Sequence, residues 1–123
     1  MNKKLLKELS DSGVLFTESD VVFITKDETG QIVWLEIGNK EVGLTHIIER
    51  HLDDFSNAIG LTKDTLPSFL EDVISKGRIV SNTLSSTRKG YTRVYDYDGN
   101  YYTVTGIGSN GFIVTAYPTP KEE

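Results

Sequence analysis

The chain changes character at Gly77, and this break constrains the fold more than any other feature. Ahead of it, apolar residues recur at helical spacing. Behind it, four runs rich in Val, Ile, Thr and Tyr follow one another, at 78–84, 91–97, 101–105 and 112–117. The links between them are short. Residues 85–90 join the first pair, Asp98-Gly99 carries tight-hairpin chemistry, and Gly108-Ser109-Asn110-Gly111 makes another turn. This pattern predicts a four-stranded antiparallel meander. Pro118 and Pro120 close the last strand and leave residues 121–123 as a frayed tail.

The first half supplies the helices. Residues 2–10 read as a short amphipathic helix with Leu5, Leu6 and Leu9 on one side, ended by Ser12-Gly13. Residues 21–25 and 31–37 read as a hairpin, because Asp27-Glu28-Thr29-Gly30 between them is a turn sequence. In its second strand Trp34 shares a face with Glu36, which predicts a half-exposed strand. Residues 43–55 form the most informative helix, with Leu44, Ile47, Ile48, Leu52 and Phe55 as one apolar stripe. A further helix starts after Thr65 as N-cap, carries Pro67 in its first turn and stops at Lys76-Gly77. Helices followed by an antiparallel sheet define an α+β chain. With 123 residues it is read as a single domain, 1–123, made of an N-terminal helix and hairpin (1–42), a helical part (43–77) and the sheet (78–118).

Composition narrows the chemistry. There is no cysteine, which excludes disulfides, thiol catalysis and Cys-ligated zinc. There are two histidines, too few for a multi-His metal site. The 18 acidic and 13 basic residues give a net charge of −5, which argues against general charge-driven binding to nucleic acid or anionic membrane. No segment has the shape of a secretory signal, and no run approaches the roughly 18 apolar residues of a membrane span. No P-loop, dinucleotide fingerprint, HExxH, EF-hand loop or nucleophile elbow is present.

Both histidines lie in one segment, Gly43-Leu-Thr-His-Ile-Ile-Glu-Arg-His51. At about 100° per residue, His51 falls inside the apolar stripe and His46 nearly opposite its centre, beside Arg50 and Asp53. A lone histidine on an apolar face is more often a core residue bonded to backbone. The functional alternative aims His51 at a helix–sheet cleft, where an imidazole suits acid–base work. For His46 an exposed position is expected, unless the first turn of the helix borders that cleft. Arg50 either pairs with a neighbouring carboxylate (Glu49, Asp53 or Asp54) or grips a phosphate.

In the last strand Ile113, Thr115 and Tyr117 alternate with Phe112, Val114 and Ala116. If the first set meets the helices, Thr115 offers a hydroxyl to a phosphate and Tyr117 a phenol for stacking or positioning; otherwise both express β-propensity alone. Tyr91, Arg93, Tyr95 and Tyr97 share a face, with Tyr101 and Thr103 continuing in the next strand. Such a face either stacks bases or packs on itself. The loop Ser85-Ser86-Thr87-Arg88-Lys89-Gly90 is either a solvated turn or a phosphate site built around Arg88.

Taken together, the G-L-x-H-I-x-x-R-H helix, the second helix and the Tyr-rich sheet ending in N-G-F-I-V-T-A-Y-P resemble a known group of small ribonucleases. It includes barnase, the EndoU nucleases, colicin tRNase domains and RelE-like toxins. The match is to its phage and polymorphic-toxin (contact-dependent inhibition type) branch, over roughly residues 33–118. The resemblance implies helices packed on one face of a four-stranded sheet. It also implies metal-independent RNA cleavage without a cofactor, by 2′-OH attack to a 2′,3′-cyclic phosphate. It assigns His51 and His46 to acid–base roles, Thr115 and Tyr117 to the catalytic strand, and Arg50, Arg88 or Arg93 to substrate binding. The implied partners are RNA, with tRNA as a candidate, and a cognate immunity protein. The implied setting is a delivered toxin acting in the bacterial cytoplasm, without membrane anchoring. The competing reading is a non-catalytic α+β protein-binding module of a phage or secretion system.

Overall fold

The computed structural model describes residues 2–84, 90–107 and 110–120. Most of the loop expected at 85–90, the first half of the turn expected at 108–111 and the tail at 121–123 lie outside the described residues. The chain begins with helix α1 (Lys3–Asp11), whose first turn is capped by Asn2 Oδ1 accepting from the Leu5 amide at 3.1 Å. Strands β1 (Val21–Lys26) and β2 (Ile32–Glu36) form an antiparallel hairpin. Asp27 holds its turn, with Oδ1 accepting from the amides of Thr29 and Gln31 and from the Thr29 hydroxyl. Helices α2 (Gly43–Ile59) and α3 (Leu66–Lys76) follow. The sheet is built in chain order from β3 (Arg78–Leu84), β4 (Gly90–Tyr97), β5 (Asn100–Ile107) and β6 (Ile113–Thr119), with every neighbouring pair antiparallel. The fold is therefore α+β, as the break at Gly77 predicts. No helix among the described residues is long and apolar enough to cross a membrane.

Two apolar clusters hold these layers. In the larger one, Ile47 and Phe55 of α2 and Leu66, Leu70, Val73 and Ile74 of α3 meet Tyr95, Tyr102, Val104, Ile113 and Ala116 of the sheet. The hairpin adds Phe23, Val33 and Leu35 from its inner side. The smaller cluster is on the hairpin's outer side, where Leu5, Leu6 and Leu9 of α1 cover Val21, Ile24 and Trp34. Trp34 is therefore 1% exposed, not half-exposed as its alternation with Glu36 predicts. Its one polar atom is satisfied within the strand, since Nε1 donates to Glu36 Oε2 at 2.9 Å. Helix α1 and the rings of Phe16 and Phe112, all distant in sequence from it, bury it, and strand periodicity carries no record of that cover.

The hairpin is tied to the segment leading into β6 by the Trp34 amide, which donates to the Gly111 carbonyl at 2.9 Å. This approach requires glycine, because a Cβ at position 111 would sit 1.9 Å from the Ile32 carbonyl oxygen.

The sheet register decides which residues face the helices. Around the two-residue Asp98-Gly99 turn, Tyr97 pairs with Asn100, Asp96 with Tyr101 and Tyr95 with Tyr102. The core face consequently runs from Tyr91, Arg93 and Tyr95 to Tyr102 and Val104. Tyr101 and Thr103, predicted to continue that face, belong to the opposite one. A second correction concerns β6. Gly106 pairs with Ile113 but Thr105 pairs with Thr115, so β6 carries one extra residue. The bulge breaks strict alternation: Ile113 and Ala116 both enter the core, and Thr115 and Tyr117 turn to the face away from the helices.

Candidate active site

The open face of the sheet is concave at one end. A cleft of about 580 Å³ lies there, lined by His46 and Glu41 on one wall and by Thr92, Thr105, Thr115 and Tyr117 on the sheet. Gly106 lies in its floor. A Cβ there would fall 2.2 Å from the Tyr91 ring and 2.4 Å from the Phe112 carbonyl oxygen, so only glycine lets β5 pass between them.

Helix α2 packs along β6, the edge strand, and this position brings its histidines to the open face. The His51 ring lies 5.1 Å from the Tyr117 ring, centroid to centroid, and 6.1 Å from the His46 ring. The expected separation of the two histidines on opposite helix faces is thus overturned at the level of the rings. A helical wheel fixes Cβ directions only. Helical side chains lean towards the N-terminus, and His46 sits in the first turn, where it borders the cleft. The cleft itself opens at the sheet edge, on the side away from the core.

Each imidazole is held through Nδ1. His46 Nδ1 lies 2.8 Å from the Lys40 carbonyl oxygen, and His51 Nδ1 lies 3.0 Å from Asp54 Oδ2. A carbonyl and an ionised carboxylate can only accept, so both rings carry their proton on Nδ1 and keep Nε2 for exchange. The loop that presents Lys40 is itself fixed. Asn39 Oδ1 accepts from the amides of Glu41 and Val42, and Thr45 donates its amide and its hydroxyl to the Ile37 carbonyl. Thr115 Oγ1 is buried and has no hydrogen-bond partner among the described residues.

The cationic residues divide. Arg50 lies one helical turn after His46 on the same flank of α2, exposed and without a partner among the described residues. Arg88 lies outside the described residues. Arg93 is on the core face and is 9% exposed. Its Nη1 donates to Asp27 Oδ2 at 3.2 Å, its Nη2 to Gln31 Oε1 at 2.6 Å and its Nε to Asn82 Oδ1 at 3.3 Å. Its guanidinium also lies 4.3 Å from the centre of the Tyr91 ring. Arg93 therefore fastens the hairpin to the sheet and is not available to a phosphate. The face of Tyr91, Arg93 and Tyr95 is a packing face, not a base-stacking platform.

A family model matches residues 22–123, that of the phage-Barnase-EndoU-ColicinE5/D-RelE like nuclease 1 family. The chain belongs to that nuclease family. A search among curated proteins returns no match. The match begins in β1 and takes in the hairpin, both later helices and the whole sheet, so every residue of the cleft lies within it. Helix α1 precedes it and acts only on the outer side of the hairpin. With His51 at its edge, the cleft is lined by His46, by Tyr91 and Tyr117, by three threonines and by Glu41.

Three of these groups, Thr92, Thr105 and Glu41, are absent from the set that the sequence predicts. Thr92 and Thr105 are legible as residues out of phase with the buried β4 and β5 positions, but only the register aligns them. Glu41 lies in a loop and gives no periodic signal. Asp54, which holds His51, stands three residues after it, a spacing that meets on a helix. Among the described residues, no Lys or Arg lines the cleft, and no three His, Asp or Glu side chains gather as a metal site.

Proposed function

We propose that this protein is a toxin-type endoribonuclease that cleaves RNA through the substrate's own 2′-OH. The observation that carries this reading is the meeting of His46, Thr115 and Tyr117 at one cleft, with the His51 ring against those of Tyr117 and His46 at its edge. One imidazole Nε2 takes the proton of the 2′-OH as its oxygen attacks the adjacent phosphorus. The P–O5′ bond breaks, and the other imidazole gives its proton to the leaving 5′-oxygen. The products are a 2′,3′-cyclic phosphate and a 5′-OH. Thr115 Oγ1, otherwise unpaired, donates to a non-bridging oxygen as charge develops there. The Tyr117 ring, packed against His51, keeps that imidazole facing the cleft, and Asp54 keeps its tautomer. Arg50 supplies a cation at the rim.

The substrate class extends to tRNA, and the working site is the bacterial cytoplasm after delivery. A cognate immunity protein would act by covering the cleft. Purified protein is incubated with total RNA and with single-stranded DNA. RNA should be cut to fragments ending in 2′,3′-cyclic phosphate, and DNA, which lacks the nucleophile, should stay intact. His51→Ala should lose on the order of 100-fold or more in rate with an unchanged circular dichroism spectrum. Cleavage of RNA by His51→Ala as fast as by wild type would sink the proposal.

A further inference from the structure

The hydroxyls on the open face of the sheet are in two kinds of company. Thr103 and Thr119 hydrogen-bond to each other through Oγ1, the usual way for a threonine pair on neighbouring strands. Thr92, Thr105 and Thr115 form a row instead. Thr92 stands opposite Thr105, and Thr105 opposite Thr115, across β4, β5 and β6. All three line the cleft. Thr115 Oγ1 is buried without a partner, and the side chains of Thr92 and Thr105 have no partner among the described residues. Burial falls steadily along the row, from Thr115, whose Oγ1 is covered, through half-buried Thr105, to exposed Thr92. Strand propensity accounts for threonine at these positions. It does not account for three neighbouring threonines that line one cleft with no partner among the described residues for any of their hydroxyls.

The charge around the row restricts what it can bind. No Lys or Arg among the described residues lines the cleft, and the chain has a net charge of −5. A hydroxyl can donate to a phosphate oxygen and accept from a ribose 2′-OH without carrying charge. Strands spaced about 4.8 Å apart make the row about 10 Å long, which exceeds a single phosphate group. On the ribonuclease reading above, Thr115, beside Tyr117 and the imidazoles, meets the scissile phosphate. Thr105 and Thr92 extend beyond it.

We propose that Thr92 and Thr105 form a neutral hydroxyl subsite for the ribose–phosphate unit adjoining the one that is cleaved. The inference rests on the ribonuclease reading above. It predicts an RNA contact whose strength does not depend on salt, in contrast to a cationic contact.

The test uses the full chain carrying His51→Ala, which holds RNA uncut, and a fluorescent mixed-sequence RNA of about 12 nucleotides. Adding Thr92→Val and Thr105→Val together should weaken binding about tenfold, the loss of two neutral hydrogen bonds. The slope of log Kd against log salt should not change. Thr92→Ser with Thr105→Ser should bind like the parent. Arg50→Ala should lower the slope by roughly 0.7, the signature of one phosphate contact on a single strand. Parent-like binding by the valine variant overturns the subsite alone. So does a serine variant as weak as the valine one, since packing would then be responsible. Failure of the parent to bind RNA, with no RNA cleavage by wild type, overturns both the subsite and the nuclease reading.

Discussion

Replacing Arg93 with methionine tests how the hairpin is fastened to the sheet and whether this arginine serves the substrate. The Asp27 side chain is completely covered and that of Arg93 is 10% exposed. Methionine keeps much of the apolar stem and removes the guanidinium. Asp27 Oδ1 still accepts from Thr29 and Gln31, but Oδ2 loses the Arg93 bond. Gln31 Oε1 and Asn82 Oδ1 lose a donor as well. Breaking one side of a buried pair strands the other charge and costs about 3–5 kcal/mol. A domain has about 5–15 kcal/mol in total, so the loss is a large fraction of it. With a urea dependence of about 1–3 kcal/mol per molar, the unfolding midpoint should fall by at least about 1 M. Asp27→Asn added to Arg93→Met should recover part of the loss, because the stranded charge goes with it. The assay is urea unfolding followed by circular dichroism. A loss below about 1 kcal/mol is what a solvent-screened surface pair gives, and it would refute the account. The functional arm is independent. Below its unfolding midpoint, Arg93→Met should keep the wild-type KM for RNA, and a tenfold rise would return Arg93 to the binding site.

Two further outcomes are expected. On the proposed mechanism Asp54 orients His51 without touching substrate, so Asp54→Asn should lower kcat about tenfold with little change in KM; a KM effect alone, or none, would show that the His51–Asp54 contact is incidental. Stability should fall as pH rises past 10. Burial pushes the Tyr95 phenol up to about 12 and the Tyr91 phenol further, although Arg93 beside them works the other way. The unfolded chain therefore releases these protons first, and stability present below pH 10 is lost progressively as pH climbs towards 12. Tyr95→Phe should reduce the slope of this alkaline loss, measured as unfolding free energy against pH; an unchanged slope would mean that Tyr95 ionises freely in the folded state.

Much of the site is legible in the sequence, though its geometry is not. The histidine helix and the Thr-x-Tyr strand identify residues of the cleft because both motifs lie within short stretches of chain. The relation between the two motifs has no such local record. One extra residue in β6 turns Thr115 and Tyr117 to the open face, and an edge position for α2 brings His46 and His51 to the same side. The resulting site lies on the opposite side of the sheet from the helix–sheet cleft that the apolar stripe suggests. Arg93 shows the converse limit. Its place among tyrosines on an alternating strand is equally consistent with binding RNA and with packing under a hairpin 66 residues away.

What the sequence determined alone is what depends on near neighbours. Helical spacing before Gly77, the tight Asp98-Gly99 turn after it and the order of strands are set by backbone preferences over a few residues. These suffice for the α+β class, the meander and the histidine-bearing helix. Only the tertiary structure decided which faces meet. Burial of Trp34, engagement of Arg93 by Asp27, and the alignment of Thr92, Thr105 and Thr115 all depend on register between strands and on cover from distant elements. A shift of one residue reverses every face of a strand, so a single bulge decides which β6 side chains line the cleft.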